Sequence, residues 1–178
     1  MASQSTLLGA AGEYHVMSEL LRRGYIAALA PQGVPNADIV VTDVNGARLC
    51  SIQVKTRRDI GSDGGWHMKA KHEQIKSDRL FYCFVDFGKD FAARPLVFLL
   101  PSPLVAEVLT ESHKRWLAKP ARNGSAHKDG PMRRLLPDYS HLFGHDQTYA
   151  TGWLDKYRDA WHVLGLDVAN AAVISDDD

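Results

Sequence analysis

Asn36-Ala37-Asp38-Ile39-Val40-Val41 and Cys50-Ser51-Ile52-Gln53-Val54-Lys55 are the two stretches whose reading decides the fold. Each is a short apolar run with the composition of a buried strand. Each also carries polar groups that a purely structural strand has no use for. Side chains alternate between the faces of a strand, so Gln53 and Lys55 share one face while Cys50, Ile52 and Val54 share the other. Asp38 opens the first run. The intervening Thr42-Asp43-Val44-Asn45-Gly46-Ala47-Arg48 contains Asn-Gly, a pair suited to a tight hairpin. Such a hairpin lays the two strands side by side and brings an acid, an amide and an ammonium to one end of a sheet. Taken singly, each group has an ordinary explanation: Lys55 snorkels from a strand end and Asp38 caps a turn.

A third element points to the same place. Ser5 is a suitable N-cap, and helical spacing runs to about Arg23 before Gly24 stops it. Glu13 falls among Gly9, Val16, Met17 and Leu20, on a stripe that the spacing predicts to be buried. A buried carboxylate needs a partner or a cation. Arg22, Arg23 and Lys55 are the candidate partners. Gly9 and Gly12 each weaken the helix by about 1 kcal/mol relative to Ala, and let a neighbouring backbone or ligand come close.

Gly9-(x)2-Gly12-Glu13 on a first helix, Asp38 at the head of a strand and Gln53-Val54-Lys55 on the next resemble the PD-(D/E)xK nuclease superfamily. Within it, the layout is most similar to Holliday-junction-resolvase-like and Mrr-type restriction enzymes. The resemblance covers residues 5 to 100. It implies a restriction-endonuclease-like fold and metal-dependent hydrolysis of DNA. On this sequence it implies that Asp38 is the central metal ligand, with Gln53, the carbonyl of Val54 and Glu13 completing the shell. It gives Lys55 the part of orienting the attacking water or stabilising charge on the phosphate. The cofactor implied is Mg2+ or Mn2+. Ala37 stands where a proline often precedes the aspartate. Gln53 stands where the family usually has an acid. Mg2+ retains several waters and needs only one or two carboxylates, so Asp38 and Glu13 suffice for charge while Gln53 offers a neutral oxygen. The same substitution suits a weakened site, and a binding module that kept the fold without catalysis stays open as the alternative.

The bulk of the chain fits one well-cored domain of 178 residues, with 45% hydrophobic and 24% charged residues. Net charge is zero, with 21 basic and 21 acidic residues, so a nucleic-acid footprint must be local. Cys50 and Cys83 both lie in apolar runs and read as buried thiols of a reducing compartment. With no signal sequence and no membrane-length apolar run, the expected location is cytoplasmic, with no membrane partner.

Gly24 to Ala30 reads as the first strand. After Lys55 come Arg57 and Arg58, then a loop with Gly61, Gly64 and Gly65 that is expected to be mobile. Trp66 to Lys71 suggests a short strand whose Lys69 and Lys71 could meet phosphates. His67 and His72 are given no role. Leu80 to Asp86 and Leu96 to Leu100 are apolar throughout, which predicts strands covered on both faces. Residues 104 to 118 have helical spacing. From Lys114 to Arg134 the chain has seven basic residues (Lys114, Arg115, Lys119, Arg122, Lys128, Arg133, Arg134) against one acid, Asp129. This excess of about six charges is the candidate phosphate-binding segment. Trp153, Tyr157, Trp161 and Leu164 predict a last helix with an aromatic stripe facing the core or a second copy. Ser175-Asp176-Asp177-Asp178 reads as a disordered acidic tail.

The expectation is an α/β protein: a restriction-endonuclease-like core with a mixed central sheet flanked by helices, plus a helical C-terminal extension. Its organisation is read as a 5–100 core, a 101–170 extension with a basic loop, and a 171–178 acidic tail. The expected function is a Mg2+-dependent DNA endonuclease, with a homodimer suited to cutting both strands. An interaction domain using the Trp153 to Leu164 stripe is the third reading.

Overall fold

The structure, a computed structural model, describes residues 3–59 and 64–167. Gly61 of the glycine loop and the acidic tail lie outside the described residues. Helix α1 spans Gln4–Leu21. Its N-cap is Ser3, not Ser5: Ser3 has extended backbone and its Oγ accepts from the Thr6 N–H at 3.2 Å, which draws Ser5 into the first turn. Val16 and Leu20 are its fully buried apolar residues.

Strands β1 (Ile26–Leu29), β2 (Ile39–Thr42) and β3 (Leu49–Arg57) form an antiparallel meander. The β2–β3 hairpin forms where the Asn-Gly pair predicts it. Gly46 takes φ +67°, and the Asp43 carboxylate accepts from the N–H groups of Asn45 and Ala47, which fixes the turn. The chain then makes a short strand β4 (Trp66–Lys69) and a 3-10 turn (Ala70–Glu73) before β5 (Leu80–Asp86) runs parallel to β3. Strand β6 (Leu96–Pro101) pairs antiparallel with β5. The sheet order is therefore β1-β2-β3-β5-β6. All seven residues of β5 are buried, as an unalternating apolar run requires.

The sheet separates two apolar layers. On one face, Val16 and Leu20 of α1 pack with Ile39, Val41, Ile52, Val54 and Cys83. On the other, Tyr82, Phe84 and Leu100 meet Val105, Val108 and Leu109 of α2 (Ser102–Ala118), with Trp66, Met68 and Leu135. That second layer includes a strand the sequence reading missed. Residues Met132–Leu135 form β7, which pairs antiparallel with β4 in a separate two-stranded ribbon. Four residues following a polar loop give too short an alternation to be read in advance. A one-turn helix α3 (Ser140–Phe143) follows.

The predicted last helix does not form. Two 3-10 turns, Asp155–Tyr157 and Trp161–Leu164, flank Asp159, whose φ is +49°. The segment passes over the edge of β6, where the Asp159 N–H donates to the Val97 carbonyl at 2.9 Å. Trp153 joins the layer with α2, whereas Trp161 and Leu164 join the layer with α1. The four-residue spacing thus serves both sides of the sheet rather than one stripe. With Trp153, Trp161 and Leu164 buried, that stripe offers no docking face.

Cys50 and Cys83 are free and buried. Burial pushes the Cys50 thiol up to about 11 and raises that of Cys83 as well. The native protein is expected to leave both unmodified by a thiol reagent such as Ellman's over minutes. After denaturation both react; rapid reaction of the native protein would contradict the packing.

Candidate active site

Glu13, Asp38 and Lys55 come within electrostatic reach of one another at the open end of the β2–β3 hairpin, opposite its Asn-Gly turn, and Gln53 shares a cavity with Lys55. Asp38 sits just before β2, where its N–H donates to the Ile52 carbonyl at 2.9 Å. Its Oδ2 accepts from the Val54 N–H at 2.7 Å, so the carboxylate is clamped against β3 between Gln53 and Lys55 in sequence. Asn36, two residues earlier, takes φ +62°, a conformation asparagine tolerates better than most side chains. Its Oδ1 accepts from Lys71 Nζ at 2.9 Å, which ties the Asp38 turn to the segment after β4.

Glu13 reaches the same place because α1 lies almost on the sheet at Gly12. A Cβ at Gly12 would come within 1.9 Å of Thr56 Cγ2 and 3.4 Å of Val54 Cγ1. The glycine therefore sets the height of the helix over β3 and brings Glu13 down beside Asp38 and Lys55. Glu13 is half-buried rather than enclosed. Its carboxyl is raised above the usual range, first by burial and then by Asp38, with Lys55 opposing. Lys55 is lowered, first by burial; Asp38 and Glu13 oppose the shift, and Lys71 and Lys69 add to it. These mutual influences make Glu13, Asp38 and Lys55 one electrostatic unit. The expected alternative partners of Glu13, Arg22 and Arg23, bind Glu19 instead, at 2.9 and 2.5 Å. Glu19 is the buried carboxylate of α1 that the sequence reading overlooked. Its arginines lie three and four residues on, so its pairing was available as a helix spacing.

Gln53 and Lys55 open into a cavity of about 190 Å³, whose other walls are His67, Met68, Lys69, Lys71, His72 and Met132. Gln53 is 9% exposed, and its Oε1 is buried with no hydrogen-bond partner. An orphaned buried oxygen carries a desolvation cost of about 1–3 kcal/mol unless something binds it. Among the described residues, no cluster of three His, Cys, Asp or Glu is arranged to hold a metal. The oxygens that would serve a hard cation here are the carboxylates of Glu13 and Asp38, which influence each other electrostatically, and the partnerless amide oxygen of Gln53. Hard cations such as Mg2+ accept such oxygens and keep waters in the remaining positions.

His72, left without a role in the sequence reading, is buried beside this cavity. Its Nδ1 lies 2.8 Å from the Tyr82 hydroxyl, and Tyr82 is the register partner of Gln53 on β5. Burial, reinforced by Lys55, Lys71 and Lys69, lowers His72 to about 4. Its folded state therefore stays neutral while the unfolded chain takes up a proton below about pH 6.5. Stability should fall as pH drops through the window from about 6.5 to 4, and this contribution is constant below it. By pH 4.5 the loss is on the order of 2 kcal/mol. Urea unfolding at pH 7.5 and pH 4.5 checks this: His72→Gln should lose distinctly less stability between the two than the natural chain.

The proposed nucleic-acid contacts divide in two. Lys69 and Lys71 are exposed and line the cavity, and Lys114, Arg122, Lys128 and Arg134 are exposed elsewhere. Arg57, Arg58, Arg115, Arg133 and Lys119 bind groups of the protein itself. Arg57 donates to Asp86 Oδ2 at 2.9 and 2.6 Å and lies 4.4 Å from the Trp66 ring centroid. Arg58 donates to the carbonyls of Gly88 and Lys89 and covers Phe91. Arg115 pairs with Glu111 and Asp146. Arg133 is 7% exposed and pairs with Glu73, because β7 turns it inward beside Leu135. Lys119 donates to the His141 carbonyl. The basic segment is thus less available to a ligand than its charge suggests.

No protein-family model and no curated relative matches the chain. Solved structures do. The bacterial homing endonuclease I-Ssp6803I superposes with a TM-score of 0.51 over 90% of this chain and 92% of that one, at 16% identity. The Holliday junction resolvase Hjc of the archaeal hyperthermophile Archaeoglobus fulgidus gives a TM-score of 0.41 over 71% and 82%, at 15% identity. The fold is restriction-endonuclease-like. At these identities the likeness extends to the fold alone. No helix among the described residues is long and apolar enough to cross a membrane.

Proposed function

We propose that the chain is a metal-dependent endonuclease acting on DNA, with Glu13, Asp38, Gln53 and Lys55 as its active site. The observation that carries the reading is the buried, partnerless Gln53 Oε1 beside Lys55, two residues along β3 and on the same face. Asp38 is bound by the N–H of Val54, the residue between them in sequence. Glu13, Asp38 and Gln53 would hold a Mg2+ or Mn2+ ion, with the Val54 carbonyl as a further ligand. When bound, such an ion supplies Lewis-acid stabilisation of phosphate charge and an acidified water. Lys55, coupled to both carboxylates, positions the attacking water and offsets charge on the phosphate. Lys69 and Lys71 place the phosphate in the cavity.

The raised carboxyl of Glu13 gives the activity a pH signature. Glu13 must be ionised to hold a cation, so metal affinity should weaken as pH falls, starting above the ordinary carboxylate range, and the acid limb of a pH–rate profile should show this at subsaturating metal. Glu13→Gln should remove that limb along with most activity. The direct test is nicking of supercoiled plasmid with Mg2+ or Mn2+ against a chelator control. The second reading, a binding module that kept the fold, is favoured by the neutral Gln53. It predicts salt-sensitive DNA binding with no nicking in either metal. Two active sites would suit cleavage of both strands, so a homodimer accompanies the first reading; sedimentation on duplex DNA tests it.

A further inference from the structure

A second cavity, of about 340 Å³, shares Met132 with the cavity of Gln53 and Lys55. Its walls come from α2 (Ser112, His113, Trp116), β7 and the segment through α3 (Leu136, Tyr139, His141, Leu142). No carboxylate lines it. Its volume falls in the range of small-ligand sites, about 300–1,000 Å³. The aromatic wall is fixed by stacking: Trp116 packs on His127 with ring centroids 3.9 Å apart and on His113 at 5.4 Å. His113 is fixed in turn by Asp129 at 2.8 Å. This is a partly apolar slot lined by aromatic and cationic residues, with the Asp129 carboxylate behind His113.

The β4–β7 ribbon joins the two cavities. Its buried side carries Trp66, Met68, Arg133 and Leu135, so its outer side carries His67, Lys69, Met132 and Arg134. Register sets Lys69 opposite Met132 and His67 opposite Arg134. Residues so paired stand about 5 Å apart. A strand whose phosphate rests at Lys69 therefore has the second cavity within about one nucleotide of it. Aromatic walls bind bases through their faces regardless of sequence, while cations at the rim take the backbone.

We propose that this cavity receives an unstacked nucleobase of the bound strand, next to the phosphate held in the active-site cavity. The base lies against the His113–Trp116 wall, with Leu136, Leu142 and Tyr139 completing the apolar lining. Arg134 faces the sugar-phosphate at its rim. The substrate class is DNA carrying an extrahelical or unpaired nucleotide, in preference to continuous duplex. This inference rests on the endonuclease reading, since it requires a DNA strand in the first cavity.

The test uses the full chain in chelator, so that binding is read without cleavage. A duplex with one extrahelical 2-aminopurine is compared with the fully paired duplex of the same sequence by fluorescence anisotropy. The bulged DNA should bind about tenfold more tightly, as stacking of one base allows. Its 2-aminopurine emission should change on binding. Trp116→Ala and, on the exposed rim, Arg134→Gln should each bring the affinity ratio toward one. Should Trp116→Ala fail to fold, Arg134→Gln decides. Equal binding of the two DNAs by the natural chain overturns the cavity assignment and leaves the endonuclease reading standing. So does a ratio that survives both substitutions. Absence of salt-dependent binding to either DNA overturns both.

Discussion

Asp38→Asn and Lys55→Ala should each lower the plasmid-nicking rate by about 10³-fold or more, while both proteins still fold and bind DNA. Catalytic proton transfer and charge stabilisation contribute roughly 10²–10⁴-fold each, and in the proposed site Asp38 would hold the cation while Lys55 would serve the attacking water and the phosphate charge. Asparagine is the informative substitution at Asp38. An alanine there would orphan the Val54 N–H that the carboxylate now accepts at 2.7 Å, at a cost of about 1–3 kcal/mol. Asparagine keeps an oxygen for that N–H and removes only the charge. A loss of nicking without a loss of melting temperature then assigns the charge a chemical role. Removing negative charge also lessens repulsion of the phosphates, so Asp38→Asn should bind DNA in chelator at least as tightly as the natural chain. Gln53→Glu is the complementary change. It adds a third carboxylate to the donor set beside Lys55, Lys69 and Lys71, and should tighten Mn2+ binding measured by calorimetry. If nicking is indifferent to Asp38→Asn, the proposed active site is wrong whatever the fold.

The second large effect is expected at the seam between α1 and β3. Gly12→Val places methyl groups where Thr56 and Val54 already stand, since even a lone Cβ would lie 1.9 Å from Thr56 Cγ2. Thr56 is β-branched and has little rotamer freedom to retreat. Either α1 lifts from β3 or the strand yields. Overpacking of this kind costs about 1–3 kcal/mol and occasionally more, which outweighs the roughly 1 kcal/mol gained by replacing a helix glycine. Lifting α1 also withdraws Glu13 from Asp38 and Lys55, so nicking should fall by about 10²-fold in protein that remains folded. Gly12→Ala with Thr56→Ala tests the cause. Removing Cγ2 leaves the nearest Thr56 atom, its Cβ, 3.3 Å from the new methyl group. The pair should recover most of the stability and activity lost by Gly12→Ala alone. Failure of that recovery would mean that Gly12 matters for a reason other than close approach.

Sequence periodicity determined much of the local structure. The Asn-Gly hairpin, the interior β5 and the helix following Pro101 each depend on neighbours in sequence, so their patterns were legible. The face shared by Gln53 and Lys55 follows from strand alternation alone. Tertiary structure decided the rest. Trp153 and Trp161 obey helical spacing, yet the chain is drawn over the β6 edge and buries them on opposite faces of the sheet. Pairing with β4 turned four residues after a polar loop into β7, and with that strand Arg133 left the basic surface for Glu73. His72 came to the cavity wall through a 3-10 turn that carries no periodic signal. Charge in a sequence is counted before anyone knows which arginines will find an acid. Arg115 finds Glu111 one helical turn away, but its contact with Asp146 and that of Arg133 with Glu73 join residues far apart in the chain, so packing decided them.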